Sequence, residues 1–318
     1  MRKRLVRVLA WVVTAGLLAL LFHKIPFSQV VASARGAAPW TIPATLLVGV
    51  TIYFCDSFAI WKTFGWFLAP LSFAEVLLVR GATYLLAVIN YNVGQGAIVY
   101  FVHRVARVPV MRGVATVLLI MGVNVLALLF LTTLGLVASP AVPHPVVVLV
   151  AVAYAGLAVY VAAVIARPRW LASRPLFDVL LNAGIGGHLK ALVVRLPHIA
   201  ALMALQIVLL RGFGVQVPLV DALAALPVVY FVAVLPISVQ GLGTTQATMV
   251  YFFAKYAPGD TQARQAAVLA ASLVGQAVTV AFQALLGVFC LRSRVGRALT
   301  ESVETPDPEP AKSENPPL

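Results

Sequence analysis

The sequence predicts an all-α fold, a polytopic bundle of membrane helices, and three observations carry that prediction. Hydrophobic residues make up 62% of the 318 and charged residues only 10%, where a water-soluble domain carries about 25% charged residues. Mean hydropathy is +0.99, so apolar side chains exceed what a water-facing fold can hide, and lipid must cover the rest. Several stretches also reach the ~20 apolar residues that a helix needs to cross a bilayer.

Taken in order, the first such stretch is 5–22, bounded by Arg2, Lys3, Arg4 and Arg7 before it and His23-Lys24 after it. It lacks a small-x-small cleavage pattern and reads as a retained signal-anchor helix. The second, 40–61, starts at Trp40, carries Asp56 and ends near Lys62. A third run, 71–91, contains Glu75 and Arg80 and breaks at Asn90-Tyr91-Asn92-Val93-Gly94-Gln95-Gly96, before a short apolar piece at 97–102. Next come 113–137 and 145–166, joined by a loop without Lys or Arg. Residues 175–195 are mixed in character and read as an interfacial helix or connector, followed by a span at 196–214. The run 219–235 breaks at Pro236 to Gly243, 244–256 is again apolar, and the last span is 264–291.

Formal net charge is +13, and five of the ten acids lie beyond residue 300. Residues 1–297 are therefore strongly basic and form one transmembrane domain, while 298–318 read as a disordered, acidic, Pro-rich cytoplasmic tail. Lys and Arg mark cytoplasmic loops and attract anionic headgroups, so membrane lipids are the expected partners and nucleic acid is not. Both termini, the 103–112 cluster and the 167–174 cluster share the cytoplasmic side on this rule. Six full spans then account for the crossings, and 71–102 and 219–257 become re-entrant or broken hairpins that open on opposite sides.

The two breaks resemble each other. Tyr84-Leu-Leu-Ala87-Val88-Ile89-Asn90 aligns with Tyr230-Phe-Val-Ala233-Val234-Leu235-Pro236 at one offset, and each run leads through a Gly/Gln-rich turn to Val-Tyr-Phe. Paired breaks in two inverted halves are a pointer to a transport site, because unwound backbone at membrane depth must be buried in protein or face water. Candidate substrate-binding residues are accordingly Asn92, Gly94, Gln95 and Gly96 in the first turn, with Ser238, Gln240, Gly241, Gly243 and Gln246 at the second. The same glycines also serve tight packing and turning alone.

Ionisable groups inside spans cost about 2.5–3.5 kcal/mol each. Asp56, Glu75, Arg80, Arg195, Arg211 and Asp221 are the candidates; Asp56 and Arg80 read as interior, and Glu75, Arg211 and Asp221 as interfacial. In the last span Ser272, Gln276, Thr279 and Gln283 share one helical face, which suits helix–helix hydrogen bonding and also a polar path, so Gln276 and Gln283 join the candidates. Cys55 and Cys290 are far apart, and the five His residues show no ligand spacing; neither metal nor cofactor is expected. Nor is there a nucleophile–base set or phosphate loop that would point to an enzyme.

Leu235-Pro236-Ile237-Ser238-Val239-Gln240-Gly241-Leu242-Gly243-Thr244-Thr245-Gln246-Ala247 resembles the Leu-Pro-x-Ser-x-Gly-Gly-Leu-Gly-x-x-Glu-Ala signature of the lysylphosphatidylglycerol synthase transmembrane-region family. Asn92-Val93-Gly94-Gln95 is similar to its earlier Pro-x-x-x-Gly-Glu motif. The resemblance implies a flippase-like domain of a bacterial cytoplasmic (inner) membrane; in family members that carry an aminoacyltransferase domain, the membrane part moves aminoacylated phosphatidylglycerol between leaflets. Such a domain is absent from this sequence, so lipid aminoacylation in cis is not expected. Gln stands for the family's Glu at Gln95 and Gln246, removing a titratable charge, and the Arg after the first motif is missing around Ile98 and Tyr100. Three readings stay open: translocation of a phospholipid or lipid-linked polar-headed substrate, a small-solute transporter or channel, and a non-transporting partner of a separately encoded lipid-modifying enzyme.

Overall fold

The computed structural model describes residues 2–89, 91–138, 144–234 and 241–292, and all regular structure among them is helical. Helix α1 (Arg2–Lys24) is followed by α2 (Phe27–Arg35), and the two axes meet at 84°. Pro26 stands between them; its ring fixes φ and restricts the residue before it, which ends α1 there. Nothing in the apolar pattern predicted α2. Helix α3 (Thr41–Phe67) leads to α4 (Phe73–Ile89) through a turn that Trp61 closes by donating to the Leu71 carbonyl at 2.8 Å. At the start of α4, Glu75 accepts from the Ser72 amide and hydroxyl at 2.8 and 2.7 Å, a reciprocal cap that places this carboxylate at a helix end as expected.

The chain continues through α5 (Tyr91–Ala106), α6 (Val110–Ala138), α7 (His144–Ala166), the single turn α8 (Arg169–Ala172) and α9 (Pro175–Gly212). Then come α10 (Leu219–Val234), α11 (Thr244–Phe253) with a 3-10 turn over Ala254–Tyr256, and α12 (Thr261–Arg292). Five helices, α3, α6, α7, α9 and α12, are long and apolar enough to cross a membrane, and the bent α1–α2 pair is a sixth candidate. Five of the six expected spans coincide with these helices, the expected 5–22 falls on the bent pair, and the molecule is a multi-pass helical membrane bundle. On α7 the exposed Val147, Val152, Val159 and Ile165 leave apolar surface on which only lipid is stable. The tail expected at 298–318 lies outside the described residues.

Two expectations need correction. Residues 175–195 are not one connector: they divide at Gly184, and the part beyond it runs on as helix into 196–214. Gly184, at φ 57° and ψ −178°, is the kink between the two helical parts of α9. The polar residues that made this stretch look mixed have partners. Asn182 donates to Asp178 at 2.6 Å, His188 lies 2.7 Å from the Tyr160 hydroxyl, and Arg195 bonds across to α3 and α6. The second correction concerns the first break. Helix resumes at Tyr91, so Gly94, Gln95 and Gly96 sit inside α5 rather than in an unwound turn. Gly94 is there because α5 lies against α4: a Cβ on it would come 2.7 Å from the Ala87 Cβ.

The packing order shows how the halves combine. α4 and α5 lie on each other as a hairpin, which returns the chain to the side it left. Three crossings, α3, α6 and α7, then separate the start of α3 from that of α9, so the two segments are inverted. α4 packs on α12 while α10 packs on α6, and α3 packs on α9 at the centre. That exchange is what a two-fold relation between α3–α6 and α9–α12 produces. Close approach at the exchanged contacts depends on small residues: Gly81 and Gly287 between α4 and α12, and Gly135 against Ala224 between α6 and α10.

One hydrogen bond repeats with the halves. The offset of 146 positions that takes Tyr84 to Tyr230 also takes Asp56 to Leu202. Tyr84 donates to the Asp56 carboxylate at 3.4 Å, and Tyr230 donates to the Leu202 carbonyl at 2.6 Å. The repeat is thus kept in a helix-to-helix bond, with a carboxylate in one half where the other uses backbone.

Candidate functional site

Asp56 is fully buried, about midway along α3, on a face it shares with Tyr53, Ser57, Ala59 and Ile60. Two arginines reach it. Arg80, about two turns into α4, donates through Nε to Oδ2 at 2.5 Å, and Arg195 of α9 donates through Nη1 to Oδ1. The remaining contacts orient these groups. Arg195 Nε also donates to the Asn124 side-chain oxygen at the middle of α6, at 2.5 Å. The Arg80 guanidinium lies 4.7 Å from the Tyr84 ring centre, and His198 Nδ1 stands 3.9 Å from Asp56 Oδ1 and 3.4 Å from the Ile52 carbonyl. Four helices, α3, α4, α6 and α9, therefore meet at one ionic cluster, and α9 alone comes from the second half.

The cluster explains how charge is tolerated at this depth. A buried ion needs a close partner and satisfied hydrogen bonds, and each oxygen of Asp56 has a separate guanidinium. Arg80 also borders a cavity between α3, α4 and α5 that is walled by Ile60, Phe64, Val79, Ile98 and Val102, with Glu75 at its rim.

The second break forms a different kind of site. Gly241 and Gly243 adopt φ of 70° and 87°, the left-handed region that glycine enters without strain. Side chains there would also collide: a Cβ on Gly243 would lie 2.9 Å from the Leu17 Cβ of α1. Gln246 holds this turn. Buried completely, it accepts from the Gly243 amide at 2.6 Å and donates to the Gln276 side-chain oxygen of α12 at 3.0 Å.

As the sequence suggested, Asp56 and Arg80 are interior, and they pair with each other; Gln246 and Gln276 are joined. Gln246 serves as an internal cap and is wholly enclosed. Gln283 stands half-buried further along the Gln276 face, and Gln95 half-buried on α5. Gly96 faces open space, with nothing within 4 Å of a Cβ there. Ser238, Gln240 and the side chain of Asn92 lie outside the described residues. Arg195, Asn124 and His198 are the members of the ionic cluster that were not singled out as site residues. The available signal was a lone polar residue in an apolar helix for Asn124, and for the other two a three-residue spacing that puts Arg195 and His198 on one face of α9. No protein-family model matches the chain, and no curated protein sequence does.

Proposed function

We propose that this protein translocates a phospholipid or other lipid-linked molecule between the two leaflets of its membrane. The observation that carries the reading is the exchanged packing of the two halves, α4 on α12 and α10 on α6, around a buried ionic cluster drawn from both halves. Inverted halves with short, broken helices give a bundle that can open alternately to either side of a mid-membrane site. Buried charge that no soluble function needs marks such a pathway. The resemblance of 235–247 to the lysylphosphatidylglycerol synthase transmembrane-region motif supports the same reading.

The test is leaflet exchange in proteoliposomes that contain the purified protein, headgroup-labelled lipids and an impermeant quencher. Exchange above protein-free vesicles, lost in Gly241→Leu while the variant still elutes as a folded monodisperse species, is the expected result. Background exchange across anionic, zwitterionic and aminoacylated headgroups would remove the reading.

A further inference from the structure

We infer that a groove on the lipid-facing side of the bundle, floored by α6 and walled by α5 and α7, binds one phospholipid with an anionic headgroup. The inference deepens the translocation reading, on which it rests for its purpose, by placing the site at which the lipid enters.

The repeat reveals the groove, because its two halves differ there. The relation extends beyond α3–α6 and α9–α12: α1 and α7 are each 23 residues long, and the short α2 matches 175–183, the part of α9 before the Gly184 kink. α2 packs on α12, and Val179 and Leu180 pack on Ala115 and Leu119 of α6. An offset of 151 positions takes Val99-Tyr100-Phe101 to Val250-Tyr251-Phe252 and Gln95 to Gln246, and it lays α6 on α12. On α12, Leu269 is wholly buried, and Leu273 packs in the cluster that holds Leu21, Phe22 and Ile25 at the α1–α2 bend. Gln276 bonds to Gln246 of α11. The counterparts of these three on α6 are bare. Leu118 is 38% and Val125 46% exposed, and nothing lies within 4 Å of a Cβ on Gly122. One groove of the repeat is thus filled by the chain itself, and its mate is open.

Helical geometry sets its boundaries. Leu118, Gly122 and Val125 fall on one stripe of α6. On one flank of the stripe Val117 and Met121 pack with Ile98 and Val102 of α5, and on the other the Thr133 hydroxyl lies 2.9 Å from that of Tyr154 in α7. α5 packs on α4 and α6, α7 packs on α9 and α6, and among the described residues α5 and α7 do not pack on each other. The charge at one end names the occupant. Arg104 lies 6.0 Å from the ring centre of Tyr100 on α5, and Arg107 and Arg112 are exposed where the chain turns into α6. Arg167, at the end of α7, stands 3.7 Å from where a Cβ on Gly184 would lie, and the segment before Gly184 packs on Ala115, so Arg167 belongs to the same end. Neither 103–112 nor 167–174 contains an acid. The exposed Trp170 beside Arg169 suits the headgroup layer. An apolar groove that ends among arginines matches a lipid whose acyl chain lies along α6 and whose phosphate meets guanidinium groups.

The experiment is equilibrium binding to the purified full chain in detergent, with short-chain phosphatidylglycerol as the probe and phosphatidylcholine of the same chains as the zwitterionic control. Phosphatidylglycerol should bind saturably and about tenfold more tightly than phosphatidylcholine. Gly122→Trp, which fills the floor of the groove, should weaken it about tenfold, while Gly16→Trp, at an equally open glycine of α1, should not. Arg107→Gln with Arg167→Gln should bring phosphatidylglycerol to the level of phosphatidylcholine. Equal binding of the two lipids by the native chain, or equal loss in the two tryptophan variants, overturns the inference. A second measurement needs no variant. Photoactivatable phosphatidylglycerol in nanodiscs should label peptides of α5, α6 and α7 well above those of α1, α11 and α12, and even labelling of both sets overturns the groove. Binding is read without transport: a saturable site with background leaflet exchange removes the translocation reading alone, and full exchange in Gly122→Trp removes the groove alone.

Discussion

Asp56 carries more of the architecture than any other single side chain, since Arg80, Arg195, Tyr84 and His198 all turn to it. Removing one partner of a buried ion pair costs about 3–5 kcal/mol, because the charges left behind lose their compensation. Asp56→Ala should therefore lower stability by that order in a detergent unfolding titration. Replacing Asp56, Arg80 and Arg195 together by Leu should recover most of it, as apolar substitutes for buried ion groups often do, while abolishing leaflet exchange. A triple variant as unstable as Asp56→Ala would mean that packing at Asp56, and not charge, is what the truncation removes. Gln246 makes a second residue-scale case. Its Oε1 satisfies the Gly243 amide, a role that Glu fills equally well three residues into a helix. Gln246→Glu should thus keep the fold, with the Gln276 amide turned to donate. Gln246→Ala should cost about 1–3 kcal/mol by leaving a buried amide unpaired. Melting temperatures of the two variants decide between cap and ligand contact, and they show why a Glu-to-Gln departure from the family motif leaves this turn intact.

At the scale of elements, glycines that look alike in sequence do different things. Gly94 and Gly96 both fall in the expected turn, yet both are helical. Gly94 faces Ala87 of α4 so closely that a Cβ would meet the Ala87 Cα at 3.0 Å, while Gly96 meets nothing. Gly96→Ala should accordingly stabilise the protein by about 0.5–1 kcal/mol, the ordinary gain of Ala over Gly inside a helix. Gly94→Ala should destabilise it by forcing the hairpin apart. The pair is read by thermal unfolding in one detergent, and a gain for Gly94→Ala would show that α4 and α5 are not packed as described. This contrast also marks what was legible. Span positions followed from apolar length, and Asp56 and Arg80 stood out because a charge inside an apolar run needs a reason. That 185–195 belongs to the same helix as 196–214 did not stand out, since His188 and Arg195 look like solvated residues until their partners on Tyr160 and Asp56 are known. α2 was equally silent: nine residues bent away at Pro26 carry no spanning signal.

For the whole molecule, the two-fold exchange makes a prediction that no single helix makes. If α4 belongs against α12 and α10 against α6, cysteines at the two contacts should cross-link in one polypeptide and in corresponding places. A Cβ at Gly81 would fall against the sulfur of the native Cys290, and a Cβ at Gly135 against Ala224. Gly81→Cys should therefore form a disulfide with Cys290 under mild oxidation, lost when Cys290 is changed to Ser. Gly135→Cys with Ala224→Cys, in a chain lacking Cys290, should form the second once α6 and α10 part enough to admit two Cβ atoms, which the native packing would hold 2.5 Å apart. Each bond joins one half of the repeat to the other, so both should arrest leaflet exchange if the halves must move against each other, and reductant should restore it. Cross-links that form while exchange continues would leave the fold as described and confine the moving parts to the hairpin tips. Failure of both pairs to cross-link in folded protein would overturn the exchanged packing itself. Because the two contacts lie at opposite ends of the two-fold relation, agreement between them tests the symmetry, where either alone would test only a neighbour.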